Sequence, residues 1–168
     1  KKYAPRMVAL KGNHEQRMDR AVNASPELEG VLTDADFGWD DAGFEYVGYN
    51  GATPGVISID GILYAHYLIS GALGKAIGGE YPAAACIKKQ FTSCATAHSH
   101  VRDFAERTSG EGDRLCSVVA GCFLEEFESY AGEANKMWWP GIVILHSVNN
   151  GDFDPEFISI ETLYSGKM

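Results

Sequence analysis

The chain has 168 residues, 45% of them hydrophobic, enough for one globular domain with a sizeable core. Its formal charge is −9, with 23 acidic residues against 14 basic ones, which argues against a broad basic face that grips duplex nucleic acid. No apolar run reaches membrane-span length, and the basic start is not followed by a signal-peptide core; Leu63 to Ile77 is interrupted by His66, Lys75 and several glycines.

Lys1 and Lys2 precede Tyr3 to Leu10, a short strand that opens almost at the first residue. Lys11-Gly12-Asn13-His14-Glu15 closes its apolar run and puts the Asn13 and His14 side chains at the carboxyl end of the strand, the edge where α/β sheets place ligands. A helix N-cap is the competing reading of this pentad, since Asn is a favoured cap and Glu15 falls in the first turn. Residues 14 to about 33 read as helix, with Met18, Ala21, Val22 and Leu28 apolar and a break and restart at Ser25-Pro26. Asp34 to Asn50, acidic and aromatic, reads as a short helix and loop packed through its rings.

Val56 to His66 carries a hairpin pattern, two β-rich runs around Asp60-Gly61, a pair suited to a type I′ turn. His66 ends the second run. Gly71 to Gly79 is glycine-rich but has neither a G-x-G-x-x-G nor a P-loop pattern, so it receives no nucleotide-cradling role. Pro82 to Gln90 reads as a helix opened by proline, and Thr92 to Ala97 as a buried strand of small residues that delivers His98-Ser99-His100. Strands follow at Val101 to Thr108, Leu115 to Phe123, Trp139 to Val148 and Phe157 to Leu163, an antiparallel meander completing a sheet. There is no internal repeat or low-complexity linker, so residues 1–168 read as one domain. Cys86, Cys94, Cys116 and Cys122 show no C-x-x-C spacing, which reads as reduced, buried cysteines and a cytoplasmic setting.

Ligand-type side chains thus stand at the ends of three strands: Asn13 with His14, His66, and His98 with His100. In an extended segment residues i and i+2 point to the same side, so the H-x-H spacing predicts two imidazoles in one metal site. Negative charge does not exclude a phosphate substrate there, because divalent cations would offset it.

Gly12-Asn13-His14-Glu15, then Tyr64-Ala65-His66, then Ala97-His98-Ser99-His100, in that order, resemble the motifs of the calcineurin-like metallophosphoesterases in their bacterial and phage form. Ala97 and Tyr67 depart from the glycines common in that family, though neither removes a ligand. A larger departure is the absence of the Asp-x-His and Gly-Asp-x-x-Asp elements with which the family begins; Gly151-Asp152-Phe153-Asp154 has neither the spacing nor the place. The chain is therefore expected to be the C-terminal two-thirds of a layered α-β-β-α sandwich, incomplete at its N-terminus, with an antiparallel C-terminal half.

The resemblance implies a two-metal hydrolase of phosphate esters, with cations ~3.5–4 Å apart clamping the phosphate and activating the attacking hydroxide. Asn13, His66 and His98 would ligate one metal and His100 would contribute to the other. Mixed N/O ligands leave manganese, iron, zinc or nickel open. His14 would stay unligated, bind the phosphate and donate a proton to the leaving oxygen, with Glu15 orienting a neighbour. Asn13 would also touch substrate, and Arg102 either touches a phosphate or serves as a salt-bridge partner. Trp138 and Trp139 stack on a base or plug a sheet edge. His146 matches no motif and reads as a satisfied surface or core residue. The substrate would be a phosphorylated small molecule, a nucleotide or a nucleic-acid end, and a complementing N-terminal segment is expected for activity. The competing reading is a non-catalytic fragment or binding module that keeps the fold and at most one metal.

Overall fold

The computed structural model describes residues 3–125 and 128–166; Lys1 and Lys2, which precede the expected first strand, lie outside the described residues. The chain divides into two compact units, Lys1–Val56 and Ile57–Met168.

In the first unit β1 (Val8–Leu10) pairs in parallel with β2 (Glu45–Val47), Val8 opposite Glu45 and Leu10 opposite Val47. The expected strand from Tyr3 shortens to its last three residues, those that meet this partner. β2 falls inside the stretch expected to be helix and loop. A three-residue parallel strand has no local signal, because its partner lies far away in sequence. The long helix expected after residue 14 is α1 (Gln16–Ala24) only, followed by 3₁₀ turns at Pro26–Leu28 and Asp34–Phe37. Ser25 adopts extended φ −136°, ψ 90°, as a residue before proline prefers, and Pro26 has no N–H with which to continue the helical ladder. Trp39 and Phe44 pack edge to face at 5.4 Å between these turns and β2.

The second unit is built on a five-stranded sheet ordered β3-β4-β7-β9-β8. The strands are β3 (Val56–Ile59), β4 (Ile62–Ala65), β7 (Ser93–Thr96), β8 (Arg102–Thr108) and β9 (Arg114–Ala120). Asp60 and Gly61 both take positive φ, 50° and 81°, as a type I′ turn requires. A small hairpin, β5 (Ile69–Ser70) with β6 (Lys75–Ala76), occupies the glycine-rich stretch, and α2 (Pro82–Gln90) starts at its proline. β4, β7 and β9 run parallel, and β8 returns antiparallel to β9.

One face of this sheet packs Ala65 and Cys94 with Cys86 of α2; the other buries Ile62, Cys116, Val118 and Phe153. Phe153 comes from the second sheet, an antiparallel ribbon of β10 (Gly141–Asn149) and β11 (Asp152–Ser159). The later strands therefore pair antiparallel, except that β9 also joins β7 in parallel, and β10–β11 form a sheet of their own. The strand expected over Phe157 to Leu163 ends at Ser159. Its hydroxyl accepts the Thr162 N–H at 3.2 Å and caps α3 (Ile160–Ser165), so a cap converts the end of an apolar run into helix. All four cysteines are free; three are buried and Cys122 is half-buried. The architecture is mixed α/β with three α-helices among the described residues, and none of its helices is long and apolar enough to cross a membrane.

Candidate metal centre

In the first unit, the Lys11–Glu15 loop leaves β1 while Lys11 still donates its N–H to Val47 at 3.0 Å. Asn13 and His14 therefore follow the carboxyl end of β1, as their place in the sequence predicts. The loop is closed from within. Glu15 accepts the Gly12 N–H through Oε2 at 3.0 Å, and Gln16 donates its N–H to the Gly12 carbonyl at 3.1 Å. Glu15 thus orients the loop backbone. Asn13 does not cap α1, whose N-cap position is Glu15 and carries no side-chain cap bond; its carbonyl instead accepts from Arg20 at 3.3 Å.

No sequence motif gives Lys11 a role, yet it anchors this loop. Only 2% exposed, it sends Nζ to Asp19 at 2.7 Å and to Asp34 at 2.5 Å. Burial by itself lowers its pKa. The hydrogen bonds and charges of Asp19 and Asp34 outweigh that and hold it above the ordinary 10.5. Burial, then the charge of Asp34, pushes the neighbouring Tyr46 hydroxyl well above its usual range. No local pattern announces this network, because Lys11 reaches 8 and 23 residues along the chain.

In the second unit the geometry follows from strand register. β4 and β7 are parallel neighbours, Tyr64 lies opposite Ala95, and the Ala97 N–H reaches the His66 carbonyl at 3.2 Å. Both strands end at the same edge, which brings His66 and His98 together. His98 Nδ1 lies 3.1 Å from His66 Nε2, with ring centroids 5.0 Å apart and planes at 71°. Tyr67 packs on both, its ring 4.7 Å from His98 and 5.7 Å from His66.

The H-x-H element is not extended. His98 and His100 have φ of 27° and 60°, and the His100 N–H turns back to the Ala97 carbonyl at 3.4 Å. The argument from alternation of side chains along a strand does not hold for a turn of this kind. His98 meets a residue from the next strand instead, and the His100 ring packs edge-on against Trp138 at 4.3 Å. The His100 carbonyl accepts the Trp139 N–H at 2.9 Å.

Two ligand nitrogens each ~2.0–2.1 Å from one ion and roughly at right angles to each other stand about 3 Å apart. The His66–His98 spacing fits that chord, and it equally fits one imidazole donating to the other. Among the described residues no group of three or more histidine, cysteine, aspartate or glutamate side chains is placed to hold a metal ion. The pair can therefore supply two nitrogens to a shared cation, with further ligands needed from other groups.

Arg102 lies 5.3 Å above the Trp139 ring and 5.6 Å above Phe157, a guanidinium stacked on two aromatic faces. Trp139 itself is wedged where only glycine fits. A Cβ at Gly121, whose φ is 75°, would come within 2.3 Å of the Trp139 carbonyl, and one at Gly141 within 2.4 Å of its ring. His146 pairs with Glu156 at 2.7 Å on the exposed face of the β10–β11 ribbon. Burial raises all four cysteine thiols, Cys94 to about 12, which leaves none as a ready nucleophile. Compared with known protein families, curated proteins and solved structures, the chain matches none.

Proposed function

We propose that this chain is the histidine-bearing part of a two-metal phosphate ester hydrolase with the layered α-β-β-α architecture. The observation that carries the reading is the His66–His98 pair, two imidazole nitrogens 3.1 Å apart at the carboxyl ends of adjacent parallel strands. By the resemblance of the motifs, His66 and His98 would hold one divalent ion together with Asn13, and His100 would contribute to the second. The ions, manganese, iron, zinc or nickel, supply Lewis-acid polarisation of the phosphoryl group. His14 hydrogen-bonds the phosphate and gives a proton to the leaving oxygen, while Arg102 contacts a substrate phosphate. No Asp-x-His or Gly-Asp-x-x-Asp element occurs in these residues, so the carboxylate ligands come from a complementing segment.

Titration of the purified chain with Co²⁺, followed by visible absorption and histidine NMR, tests the pair directly. One ion is expected, with affinity lost in His66→Ala and His98→Ala and retained in His146→Ala. Equal uptake by the double variant His66→Ala/His98→Ala overturns the assignment. Hydrolysis of an aryl phosphodiester should be negligible until a segment bearing both carboxylate elements is added. With that segment present, His14→Ala should keep the metal and lose ~10²–10⁴-fold in turnover of an alkyl ester. A second reading, a non-catalytic module holding at most one ion, is favoured by the lack of a group of three such ligands among the described residues. Turnover restored by the complementing segment excludes it.

A further inference from the structure

The last residue of the α2 turn is anomalous. Phe91 adopts φ 56°, ψ 28°, the left-handed conformation in which helices ordinarily end on glycine, and its N–H closes the helix on the Ile87 carbonyl at 3.0 Å. The residue is 81% exposed, so the conformation is not repaid by burial. The ring forms one wall of a cleft of about 480 Å³, floored by Ile87 and Leu115 and rimmed by Lys88 and Arg107. Lys89 is exposed on the adjoining turn of α2.

None of these three cations has a carboxylate partner among the described residues. The acids of β8 are committed elsewhere: Asp103 accepts the Ala83 N–H at 2.9 Å, and Glu106 binds Arg114 at 2.6 Å. A chain of net charge −9 thus keeps a local basic rim around one exposed aromatic face. The cleft opens where β8 ends and β9 begins, at the opposite edge of the sheet from His66 and His98.

We propose that this cleft binds a nucleotide unit, the base stacked on Phe91 over Ile87 and Leu115, the phosphate held by Lys88 and Arg107. Cations alone would suit any acidic partner. The exposed phenyl ring, kept in a costly conformation, selects a ligand with a flat π face beside its negative charge. The unit comes either from a free nucleotide or from a single strand. The site does not depend on the metal centre.

Anisotropy of a fluorescein-labelled eight-nucleotide DNA strand, titrated with the chain at low salt in the presence of a chelator, tests the proposal. Saturable binding that weakens with added salt is expected. Phe91→Ala should weaken it roughly 5- to 150-fold, as loss of one stacked base does, while Phe91→Trp retains it. Phe91→Gly, which suits the backbone, should melt no lower than the parent chain yet bind as poorly as Phe91→Ala, which separates stacking from folding. Lys88→Glu and Arg107→Glu should each lose binding. Displacement by a nucleoside monophosphate marks the free nucleotide as the occupant; displacement only by an unlabelled strand marks single-stranded nucleic acid. No saturable binding, an unchanged Phe91→Ala, or equal displacement by an abasic strand or an acidic octapeptide overturns the proposal.

Discussion

The loop after β1 and the turn after β7 both carry ligand-type side chains past a strand end, yet they are held in unlike ways. Residues 11–15 are fixed by charge and by hydrogen bonds: Lys11 between Asp19 and Asp34, Glu15 on the Gly12 N–H. The 97–100 turn is fixed by its backbone and by rings: positive φ at His98 and His100, then Tyr67 and Trp138 against the imidazoles. A motif read as one family signature therefore rests on two different kinds of physical support.

The largest effect belongs to Lys11. Lys11→Met leaves the partly exposed Asp19 and Asp34 without the buried cation they share. Breaking a fully buried pair costs roughly 3–5 kcal/mol, and partial exposure of both carboxylates reduces that to about 2–3 kcal/mol. Denaturant unfolding measures the loss. Alkaline titration sharpens it. Lys11 and Tyr46 both have folded-state pKa values raised above their ordinary 10.5 and 10.0. Their contribution is complete below those ordinary values and is lost as pH rises through the folded-state values. The parent chain should weaken above pH ~10 through these two groups, and Lys11→Met should have lost the lysine part of that dependence. An unaltered alkaline limb in Lys11→Met would show that the network is not what holds the loop.

The contrast also marks what was legible in the sequence. Asp60-Gly61, the proline opening α2 and the small residues of β7 each act through local backbone chemistry, and each was placed within a residue or two. The carboxyl-end position of Asn13, His14, His66 and His98 was legible for the same reason, since a strand end is a local event. β2 and the Lys11 network are made by non-local partners, 8 and 23 residues away for Lys11, and leave no periodic trace. The H-x-H spacing misled because alternation presumes an extended chain, whereas His98 and His100 lie in a left-handed turn. His66 and His98 meet through the register of two parallel strands, which the spacing of either motif does not encode.

Glu15 provides the next test. Glu15→Ala removes the acceptor of the Gly12 N–H, and Gly12 is buried. An orphaned backbone donor costs about 1–3 kcal/mol, and partial access of water past the half-buried Asn13 and exposed His14 places this case near 1 kcal/mol. Amide hydrogen exchange should speed at Gly12 and through the first turn of α1, with no change at Ala97 to His100. Coupled change in both segments would mean that the two supports are one.

The smallest expected effect isolates the turn after β7. Tyr67 stands where the resembled family commonly has glycine, and its ring lies against both imidazoles. Tyr67→Leu keeps an apolar side chain of moderate size and removes the aromatic contacts, which are worth about 0.5–1.5 kcal/mol beyond the area they bury. Because all three rings are only half-buried, stability should fall by about 0.5 kcal/mol, the low end of that range. The imidazole resonances of His66 and His98 should broaden or move as the rings gain freedom, while His14 stays fixed. If the pair holds a cation, Co²⁺ affinity should fall several-fold in Tyr67→Leu, because each ring must then be ordered at the moment of binding. His resonances that do not respond would assign the 3.1 Å contact to strand register alone, with Tyr67 only a neighbour.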